Sequence, residues 1–172
     1  MSKRHDEFER IVMPHTRSLV RVARRLTRDS RAEDLVQETL LLAWRSFHQF
    51  QPGSNERAWL FRILLNVYYG QGRKMQAAPP LAPLLDAENE LRPERGLGRE
   101  EGIDVTRALD ELNVEHRAVI LLGVVEGFTC EEMAGILSVP VGTVMSRLSR
   151  ARQALRRRLA PMDERAVRTE EV

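Results

Sequence analysis

Thr129-Cys-Glu-Glu-Met-Ala-Gly-Ile-Leu-Ser-Val-Pro-Val-Gly-Thr-Val-Met-Ser-Arg-Leu-Ser-Arg-Ala-Arg152 reads as two helices joined by a tight turn. Thr129 and Glu132 have the Thr-x-x-Glu spacing of a capping box, in which each side chain satisfies a backbone N–H that a first helical turn leaves unpaired. Phe128 and Met133 stand at the two positions of a hydrophobic staple around it. Such a cap contributes about 1 kcal/mol, enough to set where a short helix begins. Met133, Ala134 and Leu137 mark the buried face, with small Ala134 where a crossing helix must come close. Ser138-Val139-Pro140 ends the first helix, and Pro140 suits the first turn of the next.

In the second helix Val144, Leu148, Ala151, Leu155 and Leu159 recur at three- and four-residue steps and are predicted to face inward. Thr143, Ser146, Arg147 and Arg150 then point outward, near the N-terminal half that a helix-turn-helix places in a major groove. An arginine can hold guanine O6 and N7 together, worth about 1–3 kcal/mol of base discrimination. Arg152, Arg156, Arg157 and Arg158 lie further along and suit phosphates, which position a protein without specifying sequence. An arginine-rich solvated helix at the end of a bundle is the plainer alternative. Cap, turn and basic face together favour DNA binding.

The remaining chain fits a soluble protein without a catalytic apparatus. Of its 172 residues 42% are hydrophobic and 30% charged, and no apolar run approaches the roughly 20 residues of a membrane span. The N-terminus lacks an apolar signal core, which predicts a cytoplasmic protein. Cys130 is the single cysteine, so no internal disulfide is expected; in a helix first turn it reads as a small structural residue. His5, His15, His48 and His116 lack metal-ligand spacing, so no metal or cofactor is predicted. The net charge of +2 conceals segregation: residues 1–75 sum to +6, 76–115 to −6, 116–160 to +4 and 161–172 to −2. Two basic blocks flank an acidic connector, as for a protein that touches a polyanion at two places.

The predicted fold is all-α: two small helical domains joined by a flexible linker, the second containing the helix-turn-helix (129–150). In the first block, Phe8, Ile11, Val12, His15, Leu19, Val22, Ala23 and Leu26 mark one amphipathic helix. Ser30 and Glu33 make a second capping box, opening a helix to about Phe47. Pro52-Gly53-Ser54-Asn55 is a loop, followed by a third helix from about Glu56 to Tyr69 or beyond. Residues 76–103 contain prolines and glycines among acidic residues and read as a linker, with Leu81, Leu84, Leu85 and Leu91 more apolar than a spacer needs. The second domain spans 104–160, with a break at Asn113. Pro161 is expected to end regular structure, leaving a polar tail over 161–172.

Two faces of the first block suit macromolecular contact. Asp34, Gln37, Glu38, Leu41 and Arg45 share one side of the second helix, an acidic-polar strip with a leucine inside it. On the third helix Trp59, Arg62, Asn66, Tyr69 and Arg73 recur at three and four, away from a core stripe of Ala58, Phe61, Leu65 and Tyr68. Aromatic rings interleaved with cations suit unstacked single-stranded bases, at about 1–3 kcal/mol per stacked base. Trp59 would serve equally as a core residue of a small bundle.

Ala32-Glu-Asp-Leu-Val-Gln-Glu-Thr39, Ala43-Trp44, Ala58-Trp-Leu-Phe61 and Asn66 resemble region two of bacterial sigma factors. Glu132-Met-Ala-Gly-Ile-Leu137 and Val141-Gly-Thr-Val-Met-Ser-Arg-Leu-Ser-Arg-Ala-Arg152 resemble region four. Two regions and a short linker are the layout of the extracytoplasmic-function subfamily. The resemblance implies that Asp34, Leu35, Gln37, Glu38 and Leu41 dock on core RNA polymerase, at the clamp coiled coil of β′, with the β subunit as a further contact. It implies that Trp59, Arg62, Asn66, Tyr69, Arg73 and Lys74 read and open the −10 element of promoter DNA. The −35 element would be read through Thr143, Ser146, Arg147, Arg150 and Arg152. It also implies control by an anti-sigma factor, and no catalytic site. One departure stands out: after Asn66 the run is Val67-Tyr-Tyr-Gly-Gln-Gly-Arg-Lys74 where the family carries an acidic residue and a basic cluster. Glycines at 70 and 72 each cost about 1 kcal/mol in a helix, which predicts an early end with Arg73 and Lys74 on a flexible segment. An autonomous helix-turn-helix regulator, or a sigma-like decoy that binds only a regulatory protein, are the alternatives.

Overall fold

The computed structural model describes the backbone of residues 3–28, 30–77 and 100–169, and the side chains of 3–28, 30–71 and 105–159. Its helices are α1 (Lys3–Val12), α2 (Thr16–Thr27), α3 (Ala32–Ser46), α4 (Glu56–Ala77), α5 (Glu100–Asp110), α6 (Val114–Ile120), α7 (Cys130–Leu137) and α8 (Val141–Thr169). No strand occurs among the described residues, so the chain is all-α. Most of the acidic linker, with Leu81, Leu84, Leu85 and Leu91, lies outside the described residues.

The first four helices bury Leu19, Val22, Leu35, Ala43, Leu60, Phe61, Leu64 and Leu65 against one another. Three expectations need correction here. The stretch expected to be one helix over Phe8–Leu26 is two, separated by a 3-10 turn at Met13–His15. Pro14 has no N–H to donate and its ring opposes a continuous α-helix, so the chain tightens there. Ser30 does not cap α3, because Arg31 takes the cap position. The Ser30 hydroxyl donates instead to the Thr27 carbonyl at 2.9 Å, closing the end of α2; a serine serves either purpose. Finally, α4 continues past both glycines to Ala77. Packing outweighs the glycine cost: Val67 is buried, Tyr68 and Tyr69 are partly buried, and Gln71 Nε2 donates to Glu38 Oε2 at 2.6 Å.

The second unit holds its helices through end-capping. Asn113 Oδ1 accepts from the His116 N–H at 2.8 Å and starts α6. The backbone then widens into a π turn over residues 121–125, with the Glu126 N–H donating to the Leu121 carbonyl at 3.0 Å. At α7 the capping box is formed as read: Thr129 Oγ1 accepts from the Glu132 N–H at 3.2 Å, and Glu132 Oε2 accepts from the Thr129 N–H at 2.8 Å. Phe128 and Met133 are buried beside it, completing the staple. Ser138 takes the left-handed conformation at φ 55° and ends α7. The Pro140 carbonyl accepts from the N–H groups of Thr143 and Val144, launching α8. Val144, Leu148 and Ala151 are buried as predicted. α8 does not stop at Pro161 but runs to Thr169. A proline inside a helix costs about 3 kcal/mol, and the good helix formers Met162, Glu164, Arg165 and Ala166 after it favour continuation.

The two units pack against each other, α7 lying along α4. Phe61 of α4 meets Phe128 edge-on, ring centroids 5.3 Å apart. Arg117 is buried, and among the described residues no carboxylate forms an ion pair with it. Its guanidinium donates to the carbonyls of Leu109, Asp110 and Leu112, where α5 ends, and to Leu26 of α2. Burial, reinforced by nearby Arg28, lowers its pKa from the usual arginine range. Tyr68 Oη donates to the same Leu26 carbonyl at 3.1 Å, and Arg28 donates to the Asp110 carbonyl at 2.7 Å.

Candidate nucleic-acid interface

The helix-turn-helix face is the simpler of the two. Along α8, Ser146 and Arg150 are exposed on the side opposite the buried stripe, and Arg152 is exposed on its flank. Ser146 Oγ donates to the Thr143 carbonyl within the helix, at 3.0 Å. Thr143 is partly buried. Arg147 departs from the expected outward position: its side chain is 22% exposed and its Nη2 lies 2.9 Å from Glu115 Oε2. At about 100° per residue, Arg147 sits on the flank of α8 that turns toward α6, whereas Ser146 and Arg150 lie nearer the centre of the free face. Met145, at 58% exposure, stands on the opposite flank and is the feature of this face that cation counting overlooked.

The third-helix face is different in kind. Trp59 is partly buried, 4.9 Å from the Phe50 ring and 6.5 Å from Phe47, in an aromatic group that continues through Phe8 and Trp44. Its ring packs on Phe50, the residue that leads into the loop at 51–55. Arg62 and Asn66 are exposed, but Arg62 Nη2 donates to Ser138 Oγ at 3.2 Å, at the turn of the helix-turn-helix. Tyr69 faces the second unit, and its phenol is pushed up to about 12, first by burial and then by the Glu115 carboxylate, with Arg147 opposing. Arg73 and Lys74 lie on the α4 backbone, and their side chains are outside the described residues.

Between the units runs a cleft of about 920 Å³, lined among others by Arg28, Tyr69, Glu115, Leu137 and Arg147. Elsewhere between the units, Asn55 joins two helix starts. Its Oδ1 accepts from the Ala58 N–H at 2.9 Å, capping α4, while its Nδ2 donates to Glu132 Oε1 at 2.8 Å, in the α7 capping box. Of the residues expected to read DNA, Tyr69 and Arg147 therefore share the cleft and Arg62 reaches the turn of the helix-turn-helix, while Asn66, Ser146, Arg150 and Arg152 stay exposed.

On α3, Asp34, Gln37, Glu38 and Leu41 are exposed, Leu41 at 47%. Leu35 is fully buried in the core, which removes it as a direct contact. A groove of about 500 Å³ opens beside this strip, between Glu38, Leu42, Arg45, Asn66 and Gln71. Among the described residues no group of histidine, cysteine and carboxylate side chains is disposed to hold a metal ion, and no described helix is long and apolar enough to cross a membrane.

Two family signatures match in sequence order, Sigma-70 region 2 over residues 11–76 and Sigma-70 region 4 over residues 103–155. The sigma factor EcfG of Rhodopseudomonas palustris is 39% identical over 125 residues, covering 73% of this chain and 69% of that protein. The chain belongs to the extracytoplasmic-function sigma factors. SigE of Mycolicibacterium smegmatis is 36% identical over 159 residues, 89% of this chain, which spans 62% of SigE's length. Among solved structures, the sigma factor RpoE of Bartonella quintana in complex with the anti-sigma factor NepR superposes with a TM-score of 0.78 at 34% identity, over 90% of this chain and 97% of that one. A score of that size over both regions requires regions 2 and 4 to be placed alike in the two proteins. As a member of this family the sigma factor described here is a transcription initiation factor that acts with RNA polymerase on promoter DNA. Its residues Glu126, Arg21 and Arg57, which form ion pairs between the two regions, were not singled out from sequence. The one signal available was a lone carboxylate directly after the uncharged run Ala118–Val125.

Proposed function

We propose that this sigma factor directs core RNA polymerase to promoters through three surfaces and that an anti-sigma factor controls it by favouring the closed arrangement of its two regions. In this reading Asp34, Gln37, Glu38 and Leu41 dock on the polymerase clamp, with Leu35 supporting them from the core. Ser146, Arg150 and Arg152 read the −35 duplex, and Thr143 and Arg147 join them once region 4 turns free. Arg62, Asn66 and Tyr69 meet the −10 strand, with Trp59 holding the preceding loop and Arg73 and Lys74 following the backbone. The observation that carries the proposal is the turning of part of the −10 face onto region 4, with Arg62 on Ser138 and Tyr69 beside Glu115 and Arg147. In that state Arg62 and Tyr69 are engaged by region 4, and they meet the −10 strand only once the regions part. The polymerase makes the RNA, and this chain supplies promoter choice.

The test is run-off transcription with purified sigma-free core polymerase on fragmented genomic DNA. Discrete start sites sharing −35 and −10 motifs are the expected result. Binding to core without initiation would move the assignment to a sigma-like decoy. Stoichiometric binding to a palindrome without polymerase would move it to an autonomous regulator.

A further inference from the structure

Glu126 lies outside all three surfaces, yet its side chain is only 1% exposed. Both side chains that meet its carboxylate come from the other region. Arg21 of α2 reaches Oε1 through Nη2 at 2.8 Å and Nε at 3.0 Å, and Arg57 of α4 reaches Oε2 at 2.7 Å and also donates to the Glu126 carbonyl. The Arg57 guanidinium lies over the Phe128 ring, 4.3 Å from its centre, and that ring packs edge-on against Phe61. Two devices of the backbone aim this segment. The π turn over residues 121–125 swings Glu126 inward, and Gly127 adopts φ +73°, a conformation that side chains disfavour.

We propose that Arg21, Arg57 and Phe61 form a binding site on region 2 for a carboxylate followed by an aromatic ring, and that its occupant is this chain's own Glu126–Phe128 segment, which latches the protein closed. A buried carboxylate is tolerated only while its partners remain in place. Here every such partner is across the interface, so the charge couples the two regions instead of folding either one. When the regions part, Glu126, Arg21 and Arg57 all regain water, which makes the latch reversible. The effect on promoter binding rests on the proposed function; the closure does not.

Small-angle scattering on the full chain separates the outcomes, comparing wild type with Glu126→Arg, Glu126→Gln and the swap Arg57→Glu/Glu126→Arg. The wild type is expected to be compact. Glu126→Arg sets three cations together and is expected to expand the chain, with affinity for core polymerase rising by roughly tenfold, a size that allows for the half-exposed Arg21. The swap re-forms one ion pair and is expected to recover compaction. Circular dichroism accompanies each variant, and should Glu126→Arg lose helix, the near-isosteric Glu126→Gln decides on the same radius. A wild type already extended, variants as compact as wild type, or a swap no more compact than Glu126→Arg would each overturn the latch. Expansion without any gain in transcription would leave the latch standing and count against the promoter-binding assignment.

Discussion

The free face of α8 and the corresponding face of α4 were both read from the same kind of pattern, cations and polar groups at helical spacing, yet they end differently. On α8, Ser146, Arg150 and Arg152 are exposed. On α4, Trp59 packs into an aromatic core, Arg62 bonds Ser138 and Tyr69 lies in the interface. The difference lies in what surrounds each helix. α8 is the last element of its unit and has an uncovered side, whereas α4 is wrapped by α1, α2 and α3 on one side and by α7 on another. A helical pattern tells which residues share a face; it does not tell whether that face is met by solvent or by another helix.

Substitutions that separate folding from binding put this contrast under strain. The largest effect is expected at Phe61, which is fully buried and also touches Phe128. Phe61→Ala should cost about 3–5 kcal/mol of stability by thermal or denaturant unfolding, and a much smaller loss would mean that α4 is a surface helix after all. A pH titration is next in size. Burial favours the neutral phenol of Tyr69, so its contribution is fully present below the ordinary tyrosine pKa near 10 and is lost as pH rises through the folded value of about 12. Absorbance of the tyrosinate should therefore show one phenol ionising late in the wild type and near the ordinary value in Glu126→Arg; identical curves would deny that the interface buries Tyr69. Arg150→Ala should leave unfolding unchanged while weakening binding to a −35 duplex by about 1–3 kcal/mol, measured as holoenzyme. Equal losses on matched and scrambled duplexes would reassign Arg150 to phosphate contact.

The smallest effects compare two candidate caps. Thr129→Ala should cost about 1 kcal/mol because its hydroxyl completes the capping box. Ser30→Ala should cost clearly less, since its hydroxyl only closes the end of α2. Equal costs would show that Ser30 caps α3 in solution.

Much of the architecture was legible locally. The capping box at Thr129 and Glu132, the staple, the turn at Ser138–Pro140 and the buried stripe Val144, Leu148, Ala151 all form as their spacing dictates, because each depends on atoms no more than about two helical turns apart. The misreadings have physical causes too. Pro14 was overruled by an apolar period that happens to continue across it. Leu35 lies between exposed Asp34 and buried Val36, and only the placement of α2 and α4 decides that it turns inward. Gly70 and Gly72 were weighed by propensity alone, while contacts from α3 hold that part of α4 in register.

The sequence by itself therefore determined the all-helical class, the helix-turn-helix, the separation into two basic units and the family to which they belong, because periodicity, caps and charge are short-range properties. Tertiary structure alone decided that regions 2 and 4 face each other, that Tyr69 and Arg147 share a cleft, and that Glu126 is enclosed by Arg21 and Arg57, 105 and 69 residues away in the chain. Contacts at such separations carry no local signature. They exist only where packing removes water from both partners and makes an ion pair preferable to two solvated charges.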